Sequence, residues 1–276
     1  MAKSGEPAAP PASMAEPTAW LGNYVTQVVA VASAEVQKLR HDPWELMTRA
    51  IQPVLWLMLF GEVMARVRGV SPGGLPYLDF LAAGILAQSV LFVAIFYGIS
   101  AIWERDLGVL QRYLVSPAPR SALVLGKALS AGVRGLSQAF VVYILAALLG
   151  VGISLSLPHI FGVVLIIIMG SALFSTLSLI IACLVKTRER FMGIGQVLTM
   201  PIFFASNAIY PLSLMPGWLR AISRVNPLTY EVDALRALML AHGVSEYGLS
   251  LDFLVLASAM AVLTAIGARM YRRMGF

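Results

Sequence analysis

Apolar residues fall along this chain in continuous runs rather than in alternation. "FGVVLIIIMGSALFSTLSLIIACLV" holds its hydrophobic character from end to end. Runs near 20 residues suffice for a helix to cross a hydrocarbon layer of about 30 Å. Strands of a membrane barrel would alternate apolar and polar positions instead. The pattern therefore predicts an all-α membrane protein with six transmembrane helices, at roughly 45–65, 77–102, 123–149, 159–185, 191–208 and 249–270. Pro53 should kink the first span or lie near its start. Residues 209–247 are interrupted by Pro211, Pro216 and Pro227, so they predict short helices and no clean crossing. Residues 20–41 are apolar early and charged late (Glu35, Lys38, Arg40), which suits a helix lying in the membrane interface; a further span is the competing reading. The first 19 residues, rich in Pro, Ala and Ser, read as a disordered cytoplasmic tail, leaving 20–276 as the transmembrane domain. They lack the apolar core of a signal peptide, and Met14 is an alternative start.

Composition supports the class. Of 276 residues, 59% are hydrophobic and 12% charged, against about 25% charged in soluble domains. Charge placement then sets orientation, because Lys and Arg concentrate on the cytoplasmic side. With a cytoplasmic N-terminus, one side receives Lys3, Lys38, Arg40, Arg49, Arg105, Arg112, Arg120, Lys127, Lys186, Arg188, Arg190, Arg269, Arg272 and Arg273. The other receives Arg66, Arg68, Arg220, Arg224 and Arg236. The split of 14 to 5 places both termini in the cytoplasm. The lone Cys183 lies within an apolar run and cannot form an intrachain disulfide.

Between spans two and three lies a charged interruption, "WERDLGVLQRYLVSPAPR". Trp103, Leu107, Leu110 and Leu114 are spaced 4, 3 and 4 apart and form one apolar helical stripe. Glu104, Arg105, Asp106, Gln111 and Arg112 fall off it. A short amphipathic helix parallel to the membrane, docking a cytoplasmic partner, is one reading; a solvated loop at the headgroups is the other.

Two stretches carry a family resemblance: "ERDLGVLQRYLVSPAPRSALVLGKAL" after span two and "NAIYPLSLMPGWLRAISRVNPLTYEVDALRAL" after span five. The chain resembles the type-2 ABC exporter permeases, membrane subunits of ATP-binding-cassette transporters that include antibiotic-resistance and nodulation-factor export permeases. The resemblance implies that Glu104–Arg112 forms a coupling helix contacting an ATPase subunit, with Glu104, Arg105, Asp106, Leu107, Leu110 and Arg112 at the contact. It implies re-entrant helices on the outer side within 209–240, where Tyr210, Pro211, Pro216, Asn226 and Pro227 fall, and an interfacial connecting helix at 20–41. It further implies a second permease subunit, a bacterial inner-membrane location and an outward direction of transport. ATP and Mg²⁺ belong to the partner ATPase, with no cofactor on this chain, and lipid rather than nucleic acid is the remaining partner.

The residues themselves exclude several chemistries. The nearest approach to a phosphate-binding loop, "SALVLGKA", has Ser121 and Ala128 where G-x-x-x-x-G-K-[ST] needs Gly and Ser or Thr. His41, His159 and His242 are scattered through different segments, without metal-ligand spacing. Glu231 and Asp233 invite acid–base chemistry, but pairing with Arg236 or capping a re-entrant helix is the expected role. Glu62, Asp79 and Asp252 fall near span ends, and only Arg134 lies deeper, reaching toward the cytoplasm; a proton-coupled carrier would instead place ionisable groups in midspan.

Two helical faces are candidates for a substrate pathway. Span five carries Gln196, Met200, Phe203 and Asn207 at intervals of 4, 3 and 4; span two carries Gln88, Phe92 and Phe96. Helix packing through amide hydrogen bonds accounts for the same spacing. The resemblance favours the pathway, since spans two and five line the dimer interface in the family. Phe and Met make an adaptable apolar surface, suited to a drug-like or lipid-like amphipathic substrate. A saccharide or lipo-oligosaccharide is the alternative within the family, and a secondary carrier without an ATPase is the alternative outside it.

Overall fold

A computed structural model describes residues 51–66, 75–107, 120–185 and 187–270, with Thr26, Ser33, Gln37 and Thr48 in addition. Among these the regular elements are helical: α1 (Ile51–Ala65), α2 (Tyr77–Tyr97), α3 (Ile99–Asp106), α4 (Arg120–Leu148), α5 (Leu157–Leu184), α6 (Arg188–Phe204), α7 (Gly217–Val225), α8 (Pro227–Met239) and α9 (Leu249–Met270). An isolated antiparallel bridge joins Ile153 to Leu240. Among the described residues four helices are long and apolar enough to cross a membrane: α2, α5, α9 and the Gly126–Leu148 part of α4. They agree with spans two, three, four and six of the sequence pattern.

Burial follows from composition. A helix apolar on every side packs on every side, and α2 is such a helix, enclosed by α4, α5 and α8. Helix α5 lies beside it and also contacts α4, α8 and α9. Small residues let these backbones approach: Gly135 of α4 faces Ser171 and Ile167 of α5, and Gly267 of α9 faces Thr176. The perimeter is greasy and open. Leu59 and Val63 on α1, Phe140 on α4, Val197 on α6 and Leu254 on α9 are all exposed, as expected of a surface solvated by lipid.

Two span boundaries differ from the sequence pattern. The second span was expected to run from 77 to 102, but α2 ends at Tyr97 and α3 starts at Ile99. Ser178 of α5 causes the break to be tolerated: its hydroxyl donates to the Ile95 carbonyl, and a Cβ at Gly98 would overlap it. Trp103–Asp106 therefore finish a helix that begins at Ile99 instead of opening one of their own. The fifth span was expected over 191–208, but α6 covers Arg188–Phe204. Thr187 caps its start by accepting from the Arg190 amide at 3.4 Å. Helix α1 follows Pro53 into π-type hydrogen bonding over Trp56–Gly61; the expected interfacial helix over 20–41 is described only at Thr26, Ser33 and Gln37, which are helical and exposed.

Candidate functional site

The most closely built region is the fold-back between α6 and α9. A helix end leaves its last carbonyls without intrahelical partners. Three consecutive ones at the end of α6 are satisfied from elsewhere. Asn226 Nδ2 donates to Ile202 O at 2.7 Å, Ser206 Oγ donates to Phe203 O at 2.7 Å, and the Tyr210 hydroxyl donates to Phe204 O. Asn226 also caps α8, accepting from the Leu228 amide at 3.0 Å. Pro227 opens α8, where its missing N–H is not needed. One side chain thus ties the end of α6 to the start of α8.

After α6 the chain turns inward. Residues 205–209 are buried. The Tyr77 hydroxyl donates to Ile209 O at 2.9 Å, Arg236 Nη2 donates to Asn207 O at 2.8 Å, and a Cβ at Gly84 would overlap the Ala208 carbonyl. Pro211 and Pro216 immediately precede two short helices: a 3-10 turn over Leu212–Leu214, then α7. Arg220 holds the approach to α7, donating to the carbonyls of Leu212, Ser213 and Met215 at 3.0 to 3.2 Å. The Tyr230 hydroxyl donates to Arg224 O at 2.6 Å and fixes α7 against α8. Between α6 and α7 this leaves an apolar cleft of about 510 Å³, lined by Ile202, Phe204, Trp218, Ile222 and Val225.

Helix α8 brings charge into the interior. The Arg236 guanidinium lies 3.8 Å from the centroid of the Phe80 ring. Asp233 accepts from Ser245 Oγ at 2.9 Å and from the Tyr247 amide at 3.0 Å, and Ser245 is shared with Asp252 at 2.9 Å. Glu231 is fully buried against Gly170, a position where a Cβ would overlap its carboxylate. These contacts correct the expected roles of the two acids. Neither pairs with Arg236 within ion-pair distance, and the helix cap is Asn226. The sequence lacked a cue for this, because Arg236 finds a backbone carbonyl and a ring face contributed by distant segments. Glu246, in the loop before α9, is held above the usual carboxylate range by burial and by Asp233, against the opposing pull of Arg236 and Arg220. No group of three metal-ligating side chains occurs among the described residues.

The candidate pathway residues are placed unevenly. On α6, Gln196 is exposed and Met200 half-buried, whereas Phe203 is fully buried, its ring centroid 5.8 Å from that of Trp56 in an edge-on arrangement. Asn207 lies beyond the helix end, in the inward turn. The four therefore do not share one accessible face. On α2, Gln88 is buried, while Phe92 and Phe96 are half-buried with centroids 6.1 Å apart. A Cβ at Gly195 would lie 3.6 Å from Phe96, so α2 and α6 meet there.

At the opposite end, α3 leans on the start of α6. Arg188 Nη2 lies 3.0 Å from Asp106 Oδ2, and its guanidinium carbon is 3.8 Å from the Trp103 ring centroid. Leu107 is exposed. Glu104 and Arg105 lie within α3; Leu110 and Arg112 lie outside the described residues. Arg134, expected to extend toward the cytoplasm, has its guanidinium carbon 5.1 Å from the Tyr97 ring centroid.

Comparison with known proteins agrees with this architecture. The family model described as ABC-2 type transporter matches residues 26–240. The chain is 31% identical over 205 residues to the ycf38 protein of Cyanophora paradoxa, covering 73% of this chain and 70% of that one. It is 26% identical over 234 residues to the daunorubicin resistance ABC transporter permease protein DrrB1 of Streptomyces coeruleorubidus, covering 84% and 81%. It is 28% identical over 203 residues to nodulation protein J of Rhizobium leguminosarum bv. trifolii, covering 73% and 76%. With its apolar helices and a matched segment spanning most of its length, the chain belongs to the ABC-2 type transporter family of multi-pass membrane permeases.

Proposed function

We propose that this chain is the membrane subunit of an ABC exporter that moves a drug-like or lipid-like amphipathic substrate outward, using ATP hydrolysed with Mg²⁺ on a separate ATPase subunit. The observation that carries the reading is the fold-back at Ser206–Met239, seated on α2 and tied to the end of α6 through Asn226. In a six-span arrangement α1 and α6 supply the first and fifth crossings. Helices α7 and α8 then act as an outer re-entrant plug, and the end of α3 (residues 103–106) with Leu107 belongs to the cytoplasmic coupling element, whose remaining residues lie outside the described ones. The exposed apolar face of α6, with Met192, Val197 and the polar Gln196, suits apposition to a second permease subunit across a shared pathway. Both termini then lie in the cytoplasm of a bacterial cell, in line with the excess of Lys and Arg in the corresponding flanks.

ATP-driven closure of two ATPases would press on α3, and the Arg188 contact would pass that displacement to α6. Because α6 is joined to α8 at Asn226, the far end would respond. The apolar cleft between α6 and α7 supports an amphipathic over a saccharide substrate. The saccharide or lipo-oligosaccharide class is the second reading, and one relative bears the name nodulation protein J. Affinity purification of the full chain from its native membrane tests the proposal: an ABC ATPase should co-purify in equal amount. A chain that accumulates its substrate without such a partner would be a secondary carrier.

A further inference from the structure

A second cleft, of about 270 Å³, opens between span one, α2 and α4. Its lining includes Thr48 and Gln52 from span one, Ser89, Phe92 and Phe96 from α2, and Gln138 from α4. Spaced i, i+3 and i+7, Ser89, Phe92 and Phe96 stand on one face of α2. That face lines the cleft with span one and α4, and its end at Phe96 also meets α6 at Gly195. No charged side chain is among the cleft's described lining residues.

Gln138 is the informative member. It is 1% exposed, and its Nε2 has no hydrogen-bond partner among the described residues. Buried amide donors are nearly always paired, because an unpaired one carries its full desolvation cost. An unsatisfied donor at the wall of a cleft is thus a feature that a ligand acceptor would complete. The terminal torsion of a Gln amide is broad, so a modest rotation presents this N–H to an occupant. Ser89 already donates its hydroxyl hydrogen to Ile85 O at 2.8 Å and retains only acceptor capacity. The two Phe rings, inclined by 34°, offer a surface for an aromatic plane.

We infer that this cleft is a binding subsite for uncharged planar aromatic molecules carrying a carbonyl-type acceptor, which Gln138 fixes by hydrogen bonding while Phe92 and Phe96 hold the ring. The inference rests on the exporter reading in taking this subsite as a point of substrate capture, and it narrows the amphipathic class to neutral ring systems. A carboxylate or ammonium would meet no counter-ion among the described lining residues and would bind poorly.

Benzophenone, itself a neutral aromatic ketone and photoreactive, is the probe. Full-length protein in lipid nanodiscs is irradiated with it, and the labelled peptides are identified by mass spectrometry. Label should concentrate on the peptide containing Phe92 and Phe96. Fluorenone should suppress it about tenfold more strongly than fluorene at equal bilayer concentration, since only fluorenone has an acceptor for Gln138. In Gln138→Leu that difference should vanish. The wild-type comparison stands by itself should the variant fail to assemble. Equal competition by the two compounds, or label spread over the lipid-facing side of α9, would overturn the subsite. Because no ATP is involved, failure here leaves the exporter reading standing if ATP-driven transport is seen, and labelling without ATP-driven transport would reject the exporter reading alone.

Discussion

Arg188 binds Asp106 at 3.0 Å while its guanidinium carbon sits 3.8 Å over the Trp103 ring, so one guanidinium at the head of α6 holds both a charge and a ring of α3. Both charged side chains are more than a third exposed. An exposed pair contributes about 0–1 kcal/mol, with about 0.5–1 kcal/mol more from the ring contact. A link of this size is weak enough to break and re-form.

Reversal tests that link. Arg188→Glu or Asp106→Arg alone places like charges together and should reduce ATP-driven export severalfold with little change in melting temperature. Combining the two exchanges the charges and should restore part of the export, though not the ring contact. Export in the double variant as low as in the worse single variant would show that the pair does not act as a unit.

Phe203→Ala should behave as a core truncation. Its side chain is fully buried against Trp56, and such losses cost about 3–5 kcal/mol. The expected outcome is a lower melting temperature with every exported compound reduced in proportion. A change of selectivity at unchanged stability would return Phe203 to the pathway.

Asn226→Ala removes the cap of α8 and the donor to Ile202 O together. Loss of an N-cap costs about 0.5–2 kcal/mol, and loss of the hydrogen bond to the part-buried Ile202 carbonyl about 0.5–1.5 kcal/mol. Asn226→Asp keeps an acceptor for the Leu228 amide but sets a carboxylate against Ile202 O. Both variants should melt below the wild type in detergent. An Asp variant as stable as the wild type would mean that the Ile202 bond contributes nothing.

Much of this architecture is legible in the sequence. Spans two, three, four and six stand out because unbroken apolar runs have few alternatives. The stripe from Gln196 to Asn207 misled for a physical reason. Its 4, 3, 4 spacing is helical, but Ser206, Tyr210 and Asn226 capture the last carbonyls of α6 and stop the helix at Phe204. Those partners come from downstream, so helical spacing carries no trace of them. The inward turn at 205–209 likewise depends on Gly84 and Tyr77, more than a hundred residues upstream. Asn226-Pro227 was the local cue available, since Asn at an N-cap followed by Pro is a helix start.

Glu246 gives the fold-back a pH dependence. Its side chain is exposed, yet partial desolvation and the neighbouring Asp233 carboxylate hold its carboxyl above the ordinary value, so the effect is small. The folded state therefore keeps its proton at a pH where the unfolded chain has lost it. Its contribution to stability is present below the ordinary Glu range and declines as pH rises through the folded value. Glu246→Gln should remove that decline, so the variant melts higher than wild type at neutral pH and the gap closes on acidification. A gap that widens on acidification would reverse the sign.

ATP-dependent movement of substrate in proteoliposomes is the most direct measurement of the central claim. The permease and its co-purified ABC ATPase are reconstituted together and supplied with MgATP on the ATPase side. A fluorescent amphipathic compound should then be carried to the opposite side. Transport should stop with a non-hydrolysable ATP analogue and fall when Arg188 is reversed. Movement that persists without ATP, or that follows an imposed proton gradient instead, would contradict the account.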